Sequence, residues 1–352
     1  MKIRDLETPA LIVMQDRMES NLQRMMDLLD GKSVKLRPHY KTHKSPHIAA
    51  MQIAAGAKGI TCSKLSEAED LAGYGIKDIL IANQIVQPSK ISRLAFLAKA
   101  CRVTVCVDDE ENIKALSEAA AAADSRINCY VELELGMNRC GVSDFDRFYA
   151  LAALLESLPN VTYGGIQAYA GNMSHEYDRE KREKTTLQNE EKIRQLLVYL
   201  EKRGIASQNV SGGSTGTAYL KAEDSVYTEI QAGSFMFMDR SYGKMDLGFE
   251  NALFVAATVI SAGEGRFVID AGIKSLSPDQ GPPCIEGYEY ERISLSEEHT
   301  SFYGSHDFKI GDMLLLVPGH CCATVNLYDD MYFARGDDII SKMRIVSRGK
   351  AQ

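Results

Sequence analysis

Short apolar runs alternate with helix-patterned segments through most of the chain, and no other feature restricts the possible folds as much. The runs fall at 34–36, 59–62, 79–82, 103–107, 127–135, 162–168, 208–211 and 227–231. Between most of them lie segments with apolar residues at helical spacing, among them 65–74, 91–101, 112–123, 145–158 and the highly charged 179–202. Parallel strands need such crossovers. Eight βα units argue for a closed (β/α)8 barrel of the TIM type over an open doubly wound sheet. Upstream, 10–13 reads as a short strand that pairs with the barrel. A helix follows with Asp16 at its cap, Glu19 three residues on, and Met18, Leu22, Met25 and Leu29 on one face. After Tyr242 the pattern changes. Segments 253–261, 266–270, 289–296, 313–317 and 338–346 alternate or run apolar between Gly and Pro, which predicts a C-terminal β-rich domain. The expected division is a barrel over 10–242 and a β-rich domain formed by 1–9 and 243–352.

With 352 residues, 45% hydrophobic and 25% charged, the chain can bury a sizeable core and reads as a globular protein. A net charge of -8 argues against broad nucleic-acid binding, while leaving room for a local basic pocket that takes an anionic cofactor. The eight cysteines are scattered, unlike a disulfide scaffold, so a reducing, cytoplasmic setting is expected. The mixed, charged N-terminus shows no signal peptide, and no apolar run reaches membrane-spanning length.

Barrels of this kind build their active sites where the strands end. The first strand leads into Leu36-Arg37-Pro38-His39-Tyr40-Lys41-Thr42-His43-Lys44-Ser45-Pro46-His47, so Lys41 stands between a strand and a helix opened by Pro46. The stretch is either a solvated basic loop or a setting for Schiff-base chemistry. The latter needs a neutral amine, a form that crowded cations favour. The loops after the seventh and eighth strands, Ser211-Gly212-Gly213-Ser214-Thr215-Gly216-Thr217 and Ala232-Gly233-Ser234, are rich in accessible N–H groups and hydroxyls. Barrel enzymes often hold phosphate there, although a tight turn also explains the first loop. Arg139 follows a strand that carries Glu132 and Glu134, and Tyr169 ends the sixth strand. On residues alone these read as a surface ion-pair arginine and a buried strand-end tyrosine. Near the C-terminus, Val317-Pro318-Gly319-His320-Cys321-Cys322-Ala323-Thr324-Val325-Asn326-Leu327-Tyr328 reads as extended. In that conformation His320 and Cys322 project together and Cys321 points away. Imidazole plus thiolate is a zinc-preferring pair, though two donors alone leave a metal undecided.

Together these stretches resemble the D-threonine aldolase/D-serine dehydratase family of pyridoxal-phosphate enzymes, which is related to the alanine racemase barrel, and the resemblance covers nearly the whole chain. It implies pyridoxal 5'-phosphate bound as a Schiff base at Lys41. It places Arg139, within Leu135-Gly136-Met137-Asn138-Arg139-Cys140-Gly141-Val142, against the cofactor ring oxygen, and Tyr169 near the cofactor. Thr215, Gly233 and Ser234 match phosphate contacts, and His320 with Cys322 matches a divalent-metal pair, zinc first and manganese second. Segments 268–277 and 279–283 and Glu297-Glu298-His299 share the resemblance, but turn chemistry explains them and no catalytic role is assigned. The implied activity is a lyase acting on small D-3-hydroxy amino acids. Because His-x-Cys looks typical of the dehydratases and His-x-Asp of the aldolases, the expected products are a 2-oxo acid and ammonia, as for D-serine dehydratase. D-threonine aldolase chemistry, giving glycine and an aldehyde, is the alternative. An amino-acid racemase or a non-catalytic cofactor-binding protein would share the barrel, and the metal pair argues against both. The resemblance also implies a homodimer, while the net charge and the lack of a membrane-length apolar run argue against a nucleic-acid or membrane partner.

Overall fold

A computed structural model describes residues 1–221 and 225–352. Two compact units divide the chain. One comprises 26–41, 46–233 and 350–352, and the other 1–25, 42–45 and 234–349. Along the chain, strand β1 (Ala10–Met14) belongs to the second unit. The first unit contains β2 (Lys35–Leu36), β3 (Ile60–Cys62), β4 (Asp78–Gln84), β5 (Arg102–Val107), β6 (Ile127–Glu132), β7 (Val161–Ala168), β8 (Asn209–Gly212) and β9 (Glu229–Ile230). Their order is β2-β9-β8-β7-β6-β5-β4-β3, all neighbours are parallel, and a parallel bridge from His39 to Thr61 joins the two ends. This is the eight-stranded barrel that the alternation predicts.

The crossover helices are α2 (Pro46–Ala54), α3 (Leu65–Gly73), α4 (Pro88–Leu97), α5 (Glu110–Ala122), α6 (Phe145–Ser157), α7 (Arg179–Glu201) and the short α8 (Ala218–Lys221); α1 (Gln15–Leu29) precedes them. Their starts have local causes. Asp109, Asp144 and Asp178 each accept a hydrogen bond from the backbone N–H three residues on, satisfying a donor that the helix leaves open. Pro88 opens α4, where its missing N–H costs nothing. Helix α1 begins at Gln15, so Asp16 falls in its first turn and not at the cap.

Part of the barrel interior is ionic. Arg37, with 2% of its side chain exposed, pairs with Asp78 at 2.7 Å and with the fully buried Glu229 at 3.0 Å, and Lys58 reaches Glu229 at 2.9 Å. Burial pushes the Glu229 carboxyl up, but the Arg37 and Lys58 cations outweigh it and hold the group below the usual carboxylate range.

The second unit is a mostly antiparallel sheet. Its strands after β1 are β10 (Leu253–Gly263), β11 (Arg266–Ile269), β12 (Cys284–Ile285), β13 (Arg292–Leu295), β14 (Thr300–Tyr303), β15 (Met313–Val317), β16 (Asp330–Arg335) and β17 (Asp338–Arg344). They run in the order β13-β14-β11-β10-β1-β16-β17, with β15 pairing β10 and β12. The expectation that 10–13 pairs with the barrel is corrected here. Strand β1 lies antiparallel to β10 and parallel to β16. All five of its residues are buried, and a strand apolar on both faces suits a central position in this sheet. No helix among the described residues is long and apolar enough to cross a membrane.

Candidate active site

Within the barrel unit, the predicted residues stand where strands end. After β2 the backbone runs on beside the segment that follows β9. Arg37 N–H donates to the Ile230 carbonyl at 2.9 Å and His39 N–H to the Ala232 carbonyl at 3.1 Å. The Lys41 loop and the loop ending in Gly233 are therefore neighbours. Lys41 lies exposed in a single 3-10 turn, Tyr40–Thr42. After β6 the chain doubles back. Val142 N–H donates to the Glu132 carbonyl, Glu134 N–H donates to the Val142 carbonyl, and Gly141 packs too close to that Glu132 carbonyl to carry a side chain. Arg139 sits on this turn, its guanidinium 5.6 Å from the Tyr169 ring centre and 3.9 Å from Glu132. The structure thus brings Arg139 and Tyr169 together. Burial raises the Glu132 carboxyl, and Gln84 donates to it at 2.6 Å.

The loop after β8 bends at Gly213, whose φ of +75° is one that few other residues adopt. Gly212 before it lies against the Ala168 carbonyl so closely that a Cβ would collide. Thr215–Thr217 then forms one buried 3-10 turn, with the Thr217 hydroxyl accepting from Ser214 N–H at 3.1 Å. Small residues, open backbone and hydroxyls suit a phosphate group, so the residues present fit pyridoxal phosphate.

In the β-rich unit, His320, Cys322 and Ser234 lie together. The expectation of an extended segment through Cys322 is corrected. His320 is extended, with φ -142° and ψ 115°, but helix α9 (Cys321–Val325) starts at the next residue. The buried Asp239 carboxylate accepts the Cys321 N–H at 2.9 Å and the Tyr242 N–H at 2.9 Å, which anchors the helix start. Cys321 is buried, its sulfur 3.9 Å from that of Cys322. The His320 ring remains within hydrogen-bonding reach of the Cys322 thiol. The Cys322 sulfur is also 3.3 Å from the Thr42 hydroxyl and 3.6 Å from the Ser234 hydroxyl.

Turn chemistry alone explains Asp279 in the sequence, yet its Oδ2 lies 2.7 Å from His320 Nδ1. Gly319 passes so close to the Gly281 carbonyl that only glycine fits, which holds the two loops together. Burial alone lowers the His320 imidazole, but the Cys322 and Asp279 contacts outweigh it and lift the group to about 9. A carboxylate on Nδ1 that leaves Nε2 for a cation is the usual arrangement around a metal-binding histidine, so the pair fits a metal. Among the described residues, no group of three or more His, Cys, Asp and Glu side chains is arranged to hold one. The only signal for Asp279 in the sequence was its place in a segment resembling the family.

A lysine after the first barrel strand, glycine-rich loops after the last two, and a C-terminal antiparallel domain define a class, the alanine racemase-like pyridoxal-phosphate enzymes. Residues 13–241 match the family described as alanine racemase, N-terminal domain, and 252–334 match the putative serine dehydratase domain. The chain is 39% identical to D-threonine aldolase from Arthrobacter sp over 98% of its own length and 93% of the relative's. The crystal structure of D-threonine aldolase from Filomicrobium marinum matches with a TM-score of 0.96 at 36% identity, covering 100% of this chain and 98% of that one. D-threo-3-hydroxyaspartate dehydratase from Delftia sp. (strain HT23) is 30% identical over 91% of this chain and 92% of its own. Solved forms of that dehydratase include a histidine-to-alanine mutant and, two positions on, a cysteine-to-alanine mutant in the metal-free form, the latter with a TM-score of 0.88 at 27% identity over 98% of both chains. The chain belongs to the D-threonine aldolase/D-serine dehydratase family and is a pyridoxal-phosphate-dependent lyase.

Proposed function

We propose that the chain is a metal-dependent dehydratase of D-3-hydroxy amino acids, releasing a 2-oxo acid and ammonia. Cys322, two residues after His320, carries this reading, and the Delftia dehydratase mutants at positions with the same spacing support it. Pyridoxal phosphate, when bound, supplies an electron sink for bond cleavage at Cα, and a zinc ion, or manganese in its place, supplies Lewis acidity at the β-hydroxyl. The chain's own residues divide the remaining work. Lys41 anchors the cofactor and accepts the Cα proton. Arg139, held over Tyr169, orients the ring edge. Thr215, Gly233 and Ser234 take the phosphate. His320 and Cys322 hold the metal, and Asp279 fixes the imidazole. The enamine released by loss of hydroxide hydrolyses in water to the 2-oxo acid and ammonia.

Aldol cleavage is the second reading, favoured by the 39% identity to the Arthrobacter aldolase and the 0.96 TM-score to the Filomicrobium one. It needs a base for the β-hydroxyl proton. A panel of D-3-hydroxy amino acids, assayed with chelator and after metal is restored, tests the proposal. Metal-dependent ammonia from D-serine, with none from L-serine, is the expected result. Full turnover in chelator contradicts it. We further expect a homodimer in the cytoplasm, and light scattering that shows a fully active monomer at assay concentration counts against that assembly.

A further inference from the structure

Behind the loop after β8 lies a buried ion pair for which the chemistry above has no use. Lys221, 3% exposed at the end of α8, places its Nζ 2.7 Å from Glu190 Oε1 of α7 and 4.0 Å from the Tyr227 ring centre. Glu190 is itself 2% exposed and also accepts from the Ser225 hydroxyl at 3.0 Å and from the Val226 N–H at 3.5 Å. Tyr227 donates its hydroxyl to the Ala168 carbonyl at 2.8 Å, the same carbonyl that Gly212 packs against. The Lys221 Cγ lies 3.6 Å from where a Gly213 Cβ would stand. Lys221, Tyr227 and Gly213 share with Thr217 a space of about 10 Å³, room for one water at most, so the lysine does not receive a substrate there.

A lysine buried this deeply is costly. Burial pulls its ammonium down to about 8 even with Glu190 beside it. Such a pair persists where it fixes a conformation, and here the conformation it touches is the bend at Gly212 and Gly213. We propose that Glu190, Lys221 and Tyr227 form a positioning unit that sets the 212–217 loop to receive the cofactor's phosphate. This rests on the reading of that loop as the phosphate site.

The test compares two ligands on cofactor-stripped full-length protein, pyridoxal phosphate and pyridoxal, with binding followed by visible absorbance. The variants are Lys221→Met, Glu190→Gln and Tyr227→Phe. The wild type is expected to bind pyridoxal phosphate far more tightly than pyridoxal. Each variant is expected to weaken pyridoxal phosphate by about tenfold or more while changing pyridoxal by less than about twofold, because only the phosphate reads the loop's position. Tyr227→Phe keeps the ring and loses only the bond to Ala168, so it remains informative if a charge variant fails to fold. Equal losses for both ligands, or wild-type affinity for both, overturn the positioning role. A wild type that binds the two ligands equally well overturns the phosphate assignment itself.

Discussion

The barrel and the β-rich unit present their chemistry in different ways. In the barrel, Lys41, Arg139, Tyr169, Thr215 and Gly233 all follow the ends of parallel strands, where the topology gathers side chains from distant parts of the sequence. In the β-rich unit, His320 and Cys322 sit at the break between an extended residue and the five-residue helix α9, held by Asp239 from one side and Asp279 from the other. A barrel site is therefore legible once the strands are counted. A site at an irregular break is legible only through the chemistry of the residue types. Lys41 and the barrel loops supply the cofactor's covalent anchor and most of its contacts, Ser234 beside Cys322 being the exception, so the cofactor should stay bound without the metal pair, and the metal pair should decide what happens at the β-carbon.

Lys41→Ala acts on the barrel side and should have the largest effect. Turnover is expected to fall by a factor on the order of 10³ or more, with loss of the visible absorbance of bound cofactor, because the covalent anchor and the Cα base disappear together. Borohydride labelling at Lys44 or Lys274 in the wild type, in place of Lys41, contradicts the assignment. His320→Ala and Cys322→Ala approach from the other side. Each should cost several kcal/mol at the transition state, on the order of 10²–10³ in rate, and leave the visible absorbance intact. Parallel spectra and rates show whether the two functions separate, and loss of both signals at once denies the division.

Glu229→Gln probes the barrel scaffold. It leaves the buried Arg37 short of one anionic partner and should destabilise by roughly 3 kcal/mol in urea titrations at pH 7. The Glu229 carboxyl sits below its ordinary 4.5. Its contribution is therefore present above that pH and lost as pH falls through the folded-state value, so the gap between variant and wild type should narrow in acid. A gap that widens in acid contradicts the ion-pair account. Asp279→Asn should have the mildest effect, with metal affinity down by about 10–100-fold and pyridoxal phosphate affinity unchanged. Unaltered metal affinity there removes Asp279 from the account.

The eight barrel strands and the helices between them were legible because parallel strands buried on both faces and amphipathic crossovers leave different apolar periods. The sequence does not show which sheet takes strand β1, since a short apolar run next to a helix looks the same whichever sheet claims it. Thr300–Tyr303 carries no clear strand signal because it is short and partly polar, and its pairing with β11 and β13 is set only by the fold. The helix at Cys321 was hidden for another reason. The group that anchors its first N–H, Asp239, lies 82 residues upstream, where no local pattern reveals it. Glu190 on the charged helix α7 and Lys221 at the end of α8 likewise look like surface charges, and only the packing shows them buried against each other.

The most direct test of the central claim, that Cys322 with His320 directs a D-3-hydroxy amino acid lyase toward elimination, is a product balance on D-threonine. Zinc-loaded wild-type protein is incubated with D-threonine, and ammonia, 2-oxo acid, glycine and aldehyde are quantified from the same reaction. Elimination yields 2-oxo acid and ammonia in equal amounts, with the balance shifting toward glycine in Cys322→Asp. Glycine and aldehyde in equal amounts from the wild type, without ammonia, would contradict it and make aldol cleavage the reaction.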